Sequence, residues 1–366
     1  MGQTICLNMI VKNESRVIRR CLDSVKPYIH SWVIVDTGST DGTQELIKLY
    51  LRAIPGELHE RPWVDFGHNR TEALQLARGK ADYILIIDAD EVMIPQERFA
   101  MPELRSDAYQ IQHVAGESGT TFWLTQLVRG DLPFRYKGVL HEAIDCDVAH
   151  QTMRLTGIVT KGFFDSARNA DPIAKYRHDA SVLEAALRKE PDNRRYVFYL
   201  AQSYRDALML DKALETYEKR ATMGGWEEEV YYSLYQSGVL RERLGQKLGP
   251  VIDAYLRAYQ ARPRRAEALC ELARHLRLQG QPHAAVIFAD QARKTPRPED
   301  ILFLDEAVYA WRAEDEYAVC AYYAGKPGEA LAVERRLLST ADLPPADRAR
   351  IEANCRFYEK PQPVAP

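Results

Sequence analysis

The chain has 366 residues, 46% of them hydrophobic and 28% charged, with a formal net charge of -3 at pH 7. That length suggests two domains of ordinary globular composition, and the near-neutral charge argues against a general polyanion binder while leaving room for a local basic groove. Six scattered cysteines (Cys6, Cys21, Cys146, Cys270, Cys320, Cys355) without a CxxC pair read as reduced thiols, neither a disulfide framework nor a zinc site.

The opening MGQTICLNMIVKNE enters strand-like sequence at once and lacks the charged start and apolar core of a secretion signal. No run approaches the length of a membrane span, so a cytoplasmic chain is expected. TICLNMIV (4–11) reads as a strand and SRVIRRCLDSV as the helix after it. SWVIVD (31–36) is a second strand, and TDGTQELIKLYLRA a second helix with Thr40 or Asp41 near its cap. GHNRTEALQLARG predicts a helix ending at Gly79, and DYILIID a further strand, apolar on both faces and so buried in a sheet. Strand alternating with helix predicts an α/β domain with a parallel sheet. Beyond residue 107, AYQIQHVA and TTFWLTQLVR, separated by GESG, read as antiparallel strands added to it.

From about residue 172 the pattern is helical throughout and repeats itself. Leu200, Ala201, Tyr204, Ala213 and Tyr217 fall on tetratricopeptide spacing, and Leu272, Ala273, Ala285, Ala292 and Pro296 repeat it. Small residues at these points let paired helices approach closely. Weaker copies lie near 227–263 and 301–338, the latter using Ala318 and Ala330, and ADRARIEANCRFYEK is suited to cap the stack. The expected division is 1–168, an α/β domain; 169–360, an all-α repeat domain; and 361–366, a disordered tail.

Three strand ends deliver polar residues to one edge of such a sheet: Lys12, Asn13 and Glu14; Asp36 with DTGSTDGT; and Asp88, Asp90 and Glu91. DTGSTDGT has neither GxGxxG spacing nor a Walker lysine, so taken by itself it is a capped strand-to-helix turn. In DADE, Asp88 and Asp90 are two apart and point the same way if extended geometry persists, offering hard oxygen ligands for Mg²⁺ or Mn²⁺. An isolated DxD is more often a solvated turn; directly after a buried strand the metal reading gains weight.

MIVKNE, VIVDTGSTDGT, NRTEALQLARG followed by YILIIDADE, and later GVLHE, resemble in order and spacing the family 2 glycosyltransferases of the GT-A fold, over roughly residues 3 to 165. The helical part is similar to a tetratricopeptide-like tail joined to many bacterial members. The resemblance implies a Rossmann-like mixed sheet and a metal-dependent inverting transfer from a nucleotide sugar, UDP-linked, to an acceptor hydroxyl or thiol. It also implies roles. Asn13 and Glu14 would line the nucleotide pocket, and Asp36 would contact uracil or ribose. Arg70, Asp88 and Ala89 would complete the donor site, and Asp90 would ligate the metal, Mn²⁺ or Mg²⁺. His141 would be a second ligand or a leaving-group contact, against the alternative of a histidine packed beneath a loop. For the base, Glu142 is the first choice, Asp145 the second and Glu91 the third. The interval from DADE to this acid is short for the family, and Lys161 in TKGFFD stands where relatives often have a histidine. A polypeptide acceptor is expected, with a saccharide, lipid-linked sugar or nucleic acid as alternatives, and the repeats would offer a peptide groove or a face for homo-oligomers. Against the enzyme stand a nucleotidyltransferase, disfavoured by the missing Gly-rich loop, and a repeat scaffold carrying a relic domain.

Overall fold

The computed structural model describes residues 2–116, 120–163 and 165–359; the expected tail at 361–366 lies outside them, as does most of GESG. The chain divides into two compact units, Met1–Arg188 and Lys189–Pro366. The helix Pro172–Lys189 thus counts almost wholly with the first unit, where the sequence pattern had grouped it with the repeats.

The first unit is built on an eight-stranded mixed sheet. In chain order its strands are β1 (Ile5–Val11), β2 (Ser31–Asp36), β3 (Gly56–Glu60), β4 (Tyr83–Ile86), β5 (Glu91–Pro95), β6 (Ala108–Ala115) and β7 (Thr120–Arg129). A small separate hairpin, β8 (Phe134–Lys137) and β9 (Ala143–Cys146), precedes the last sheet strand, β10 (Thr152–Gly162). The spatial order is β3-β2-β1-β4-β7-β6-β10-β5. β3, β2, β1 and β4 run parallel, while β7 pairs antiparallel with both β4 and β6. β10 lies parallel to β6 and antiparallel to β5. Sequence reading did not anticipate β3, whose GELHE carries no apolar alternation because it is an exposed edge.

The central strands are apolar on both faces because both are covered. Leu7, Met9, Ile34 and Leu85 pack with α1 (Ile18–Val25) and α2 (Thr43–Tyr50) through Ile18, Leu22 and Ile47. Cys6, Val33, Ile84 and Ile86 pack on the opposite side with Leu74 and Ala77 of α3 (Phe66–Ala77). Asp65 caps α3 by accepting from His68 N at 2.7 Å. Gly67 lets the helix press on the β8–β9 turn, since a Cβ there would stand 2.2 Å from Gly138 O. α4 (Pro172–Lys189) ends the unit.

The second unit is a stack of antiparallel helix pairs of tetratricopeptide type. The pairs are α5 (Arg194–Asp206) with α6 (Leu210–Thr222), α7 (Glu227–Arg243) with α8 (Leu248–Ala261), α9 (Glu267–Leu278) with α10 (Pro282–Lys294), and α11 (Ala313–Tyr323) with α12 (Pro327–Thr340). α13 (Pro345–Tyr358) packs on the last pair. Ala201, Ala213, Ala273, Ala285, Ala318 and Ala330 are fully buried at the pair contacts, as the spacing requires. Tyr217, Tyr231 and Tyr255 are packing residues, and Gly238 leaves room for the Tyr255 ring.

Candidate active site

The chain leaves β1, β2 and β4 at the same edge of the sheet, and hydrogen bonds stitch the resulting turns together. Asn13 takes a left-handed backbone (φ 57). Its N–H donates to Ser39 Oγ at 2.8 Å and its Oδ1 accepts from Thr40 N at 2.8 Å. Glu14 N donates to Thr43 Oγ1 at 2.8 Å and Ser15 N to Asp41 Oδ2 at 3.0 Å. DTGSTDGT therefore clamps the first turn as well as opening α2.

Asp36 is fully buried at the end of β2. Its Oδ1 accepts from Gly38 N, Ser39 N and Gln44 Nε2 at 2.8, 2.8 and 3.1 Å. Oδ2 has no hydrogen-bond partner. A buried acceptor left unmade is costly, so a donor on a ligand would be favoured there.

A cavity of about 550 Å³ opens beside these turns. Of the expected site residues, Asn13, Glu14, Arg70, Asp88, Ala89, Asp90 and Glu91 line it. Asp36 is represented only by its neighbour Thr37. His141, Glu142 and Asp145 are not among the lining residues. His141 is exposed with a left-handed backbone (φ 51).

Arg70 connects the two groups. Its Nη2 donates to Asp88 Oδ1 and Oδ2 at 2.7 and 2.8 Å. Its Nε lies 2.7 Å from Glu142 Oε1, an ion-pair approach without the angle of a hydrogen bond. Arg70 and Glu142 side chains are each 13% exposed, against 41% for Asp88. Burial opposes the guanidinium charge, but Asp88, Tyr136 and Glu142 outweigh it and raise its pKa. Asp145, paired with Lys137, is held below the usual carboxylate range.

Among the described residues the remaining acids have no Lys or Arg partner, although His113 Nδ1 lies 3.6 Å from Glu91 Oε1. Burial, then the charge of Asp90, pushes Glu14 up to about 7, and its Oε2 has no hydrogen-bond partner. Asp90 is raised by burial and then by Asp88, with the Ser166 side chain partly opposing this. Glu91 is pushed up to about 8 by burial and Asp88. It accepts from Gln126 Nε2 at 3.1 Å, and Thr160 Oγ1 in turn donates to Gln126 Oε1 at 2.8 Å. His113 Nδ1 lies 3.0 Å from that Thr160 hydroxyl, and burial lowers the His113 pKa. Three carboxyls thus crowd one part of the cavity, and burial with mutual repulsion holds each toward its neutral form. Among the described residues, no group of three or more His, Cys, Asp or Glu side chains is arranged to hold a metal.

Another part of the cavity lining was missed by sequence reasoning. Trp63 and Phe66 contribute an edge-to-face ring pair with centroids 4.7 Å apart, and Arg168 lies over the Phe66 ring at 4.5 Å. Ser166, Asn169, Lys175 and His178 line the cavity from the segment after β10 and from α4. The available signal was the polar, charge-rich run DSARNADPIAKYRHD, which the expected boundary at 168/169 splits between the two domains. Arg20 anchors this segment, with Nη2 2.7 Å from Asp165 Oδ1 and its guanidinium 3.8 Å from the Phe163 ring centre.

Residues 6–156 match the model of the family described as glycosyl transferase family 2, so the first unit carries a domain of that family. A TPR repeat-containing protein of Synechococcus elongatus is 31% identical over 151 residues, which are 38% of this chain and 35% of the relative. The SPbeta prophage-derived glycosyltransferase SunS of Bacillus subtilis is 24% identical over 221 residues, 57% of this chain and 50% of the relative. This chain therefore spans half or less of the length of these curated relatives. The crystal structure of MamA protein superposes with a TM-score of 0.37 at 16% identity, covering 53% of this chain and 90% of that one. No helix among the described residues is long and apolar enough to cross a membrane.

Proposed function

We propose that this family 2 domain transfers a glycosyl group from a nucleoside-diphosphate sugar, UDP-linked, to an acceptor hydroxyl or thiol with inversion. The observation that carries the reading is the lining of the cavity: Glu14, Asp88, Asp90 and Glu91 crowd together in one cavity with Arg70, Lys12 and Lys175. Burial and mutual repulsion raise Glu14, Asp90 and Glu91. Such a site favours a ligand that brings cationic charge to the acids and anionic charge to the bases. A diphosphate accompanied by Mg²⁺ or Mn²⁺ does both.

The side chains present suit such an ion in kind, being carboxylate oxygens with no thiolate and with Glu14 Oε2 lacking a partner. Among the described residues fewer than three are grouped to hold it, so the diphosphate itself would have to share in holding it. Asp90 would hold it, because Asp88 is already engaged by Arg70. When bound, the ion would offset the charge of the departing diphosphate. Asp36 Oδ2 is suited to accept from a base or ribose, and the Trp63–Phe66 pair gives an apolar wall for a planar group.

Glu142 is the proposed proton acceptor, held in one orientation by Arg70, whereas Asp145 is tied to Lys137. A second reading gives that role to Glu91, which lines the cavity and is pushed up to about 8 by burial and Asp88. Glu142→Gln and Glu91→Gln distinguish the two: the true base loses kcat, and the other variant retains it. The proposed acceptor is a polypeptide, and a cytoplasmic setting suits six free, buried thiols.

The donor half is tested by thermal stabilisation with nucleotides and nucleotide sugars, with and without Mn²⁺, on wild type and Asp90→Asn. A metal-dependent response to UDP that Asp90→Asn abolishes supports the reading. A folded wild type that responds to no nucleotide overturns it.

A further inference from the structure

The turns between successive helices of the second unit are three to five residues long, with one exception: residues 295–307, between α10 and the π-turn Val308–Arg312 that leads into α11. Long insertions between tightly stacked repeats are uncommon and usually functional. This one folds back over α5, α7 and α9, the first helices of three consecutive pairs. Side-chain bonds join those helices in a row: Arg205 of α5 donates to Tyr232 of α7 at 2.9 Å, and Arg274 of α9 to Glu242 of α7 at 2.5 Å.

The returning segment is held as a peptide ligand is held, through its main chain. Glu228 Oε2 accepts from Ile301 N and Leu302 N at 2.9 and 2.7 Å. Arg265 donates to Leu302 O and Phe303 O, each at 3.2 Å. Glu267 Oε1 accepts from Asp305 N at 3.3 Å. Asp300, 5% exposed, receives Arg262 at 2.5 and 2.7 Å, with Arg265 at 3.4 Å and Arg264 at 3.5 Å.

The fit of the apolar side chains is poor by comparison. Ile301 is 80% exposed. Phe303 rests on Tyr232, with ring centroids 4.7 Å apart, yet stays 50% exposed and adopts a left-handed backbone (φ 46) that a phenylalanine rarely takes. The polar anchors are thus well met while Ile301 and Phe303 are under-filled and Phe303 is strained.

We propose that this inner face is a polypeptide-binding groove occupied by the chain's own segment 299–305, and that an extended partner segment pairing an acidic residue with following apolar residues displaces it. The three arginines select the carboxylate, Glu228 and Arg265 take any main chain, and Phe198 and Tyr232 receive an aromatic side chain. Tethering gives the internal segment a high effective concentration, so it acts as a threshold that only a better-fitting partner passes. The inference does not rest on the glycosyl-transfer reading.

The probe is a fluorescein-labelled peptide of residues 297–306, RPEDILFLDE, titrated by anisotropy into the full chain and into a chain whose residues 299–304 are replaced by an equal run of Gly and Ser. The replaced chain, with its helical circular dichroism retained, is expected to bind roughly tenfold or more tightly than the intact one. The peptide carrying Asp300→Asn is expected to lose that gain. A folded replaced chain that ignores the peptide, binds both peptides equally, or merely dimerises overturns the proposal. If the replaced chain does not fold, hydrogen exchange at Ile301 and Leu302 in the intact chain decides: millimolar peptide must accelerate it, and unchanged exchange overturns the proposal.

Discussion

Replacing Arg70 by Met keeps an unbranched apolar stem and removes a charge shared by two carboxylates. Glu142, 13% exposed, loses a cation at 2.7 Å, and Asp88 loses both of its hydrogen bonds. Breaking a buried pair by deleting one partner typically costs about 3–5 kcal/mol, because the other charge is left unpaired. Asp88 is 41% exposed and recovers hydration, so its share is discounted and the low end, about 3 kcal/mol, is expected. In a unit of this size each kcal/mol shifts Tm by about 2–4 °C, giving a fall of roughly 6–12 °C in its melting. Differential scanning calorimetry of wild type, Arg70→Met, Glu142→Gln and the double variant measures both the loss and its origin. The double variant should recover about 1–2 kcal/mol relative to the sum of the singles, because the unpaired carboxylate is then absent. Arg70→Lys should recover only part, since an ammonium lacks the planar fork that reaches both acids. An Arg70→Met chain melting within 2 °C of wild type (about 1 kcal/mol or less), or strict additivity in the cycle, would refute the reasoning.

Asp36→Asn preserves shape and the Oδ1 contacts but puts an amide donor in place of the orphaned acceptor. UDP affinity by calorimetric titration should fall about 10–100-fold, with Tm nearly unchanged. Gly67→Ala drives a Cβ into Gly138 O, so α3 must back away from the β8–β9 turn and Arg70 from Glu142. Transfer activity should drop on the order of 10²-fold even where the protein still folds. In the second unit, Glu334 is fully buried between α12 and α13, and burial followed by the charge of Asp315 pushes it up to about 8. A carboxyl raised in the folded state stabilises below its unfolded pKa and loses that contribution as pH rises through the folded value. The loss is about 3 kcal/mol by pH 7. Glu334→Gln keeps an acceptor for Asn354 and should flatten the decline in Tm between pH 5 and 8; an unchanged slope would assign that decline elsewhere.

Much of the first unit was legible because its signals are local. A strand buried on both faces is a run such as YILI, and it was recognised as one; the edge strand GELHE has no such pattern because water, not packing, meets its side chains. The tetratricopeptide spacing was readable for the same reason as YILI, since alanines at fixed intervals are needed for close helix approach. The segment after β10 was misgrouped because DPIAKYRHD has helical composition, and composition does not say which unit a helix packs on.

The sequence by itself determined the α/β and all-α halves and the acids delivered to the ends of β1, β2 and β4, since periodicity and parallel connection require both. Only the tertiary structure decided how those acids are charged and partnered. Arg70 engages Asp88 and Glu142, Lys137 takes Asp145, and Glu14, Asp90 and Glu91 are left to the cavity. It alone also laid 299–305 over α5, α7 and α9 and brought Lys175 and His178 to the cavity wall. The reason is physical: burial and Coulomb interactions depend on distances through space, which chain order leaves open until the sheet and the helices have packed.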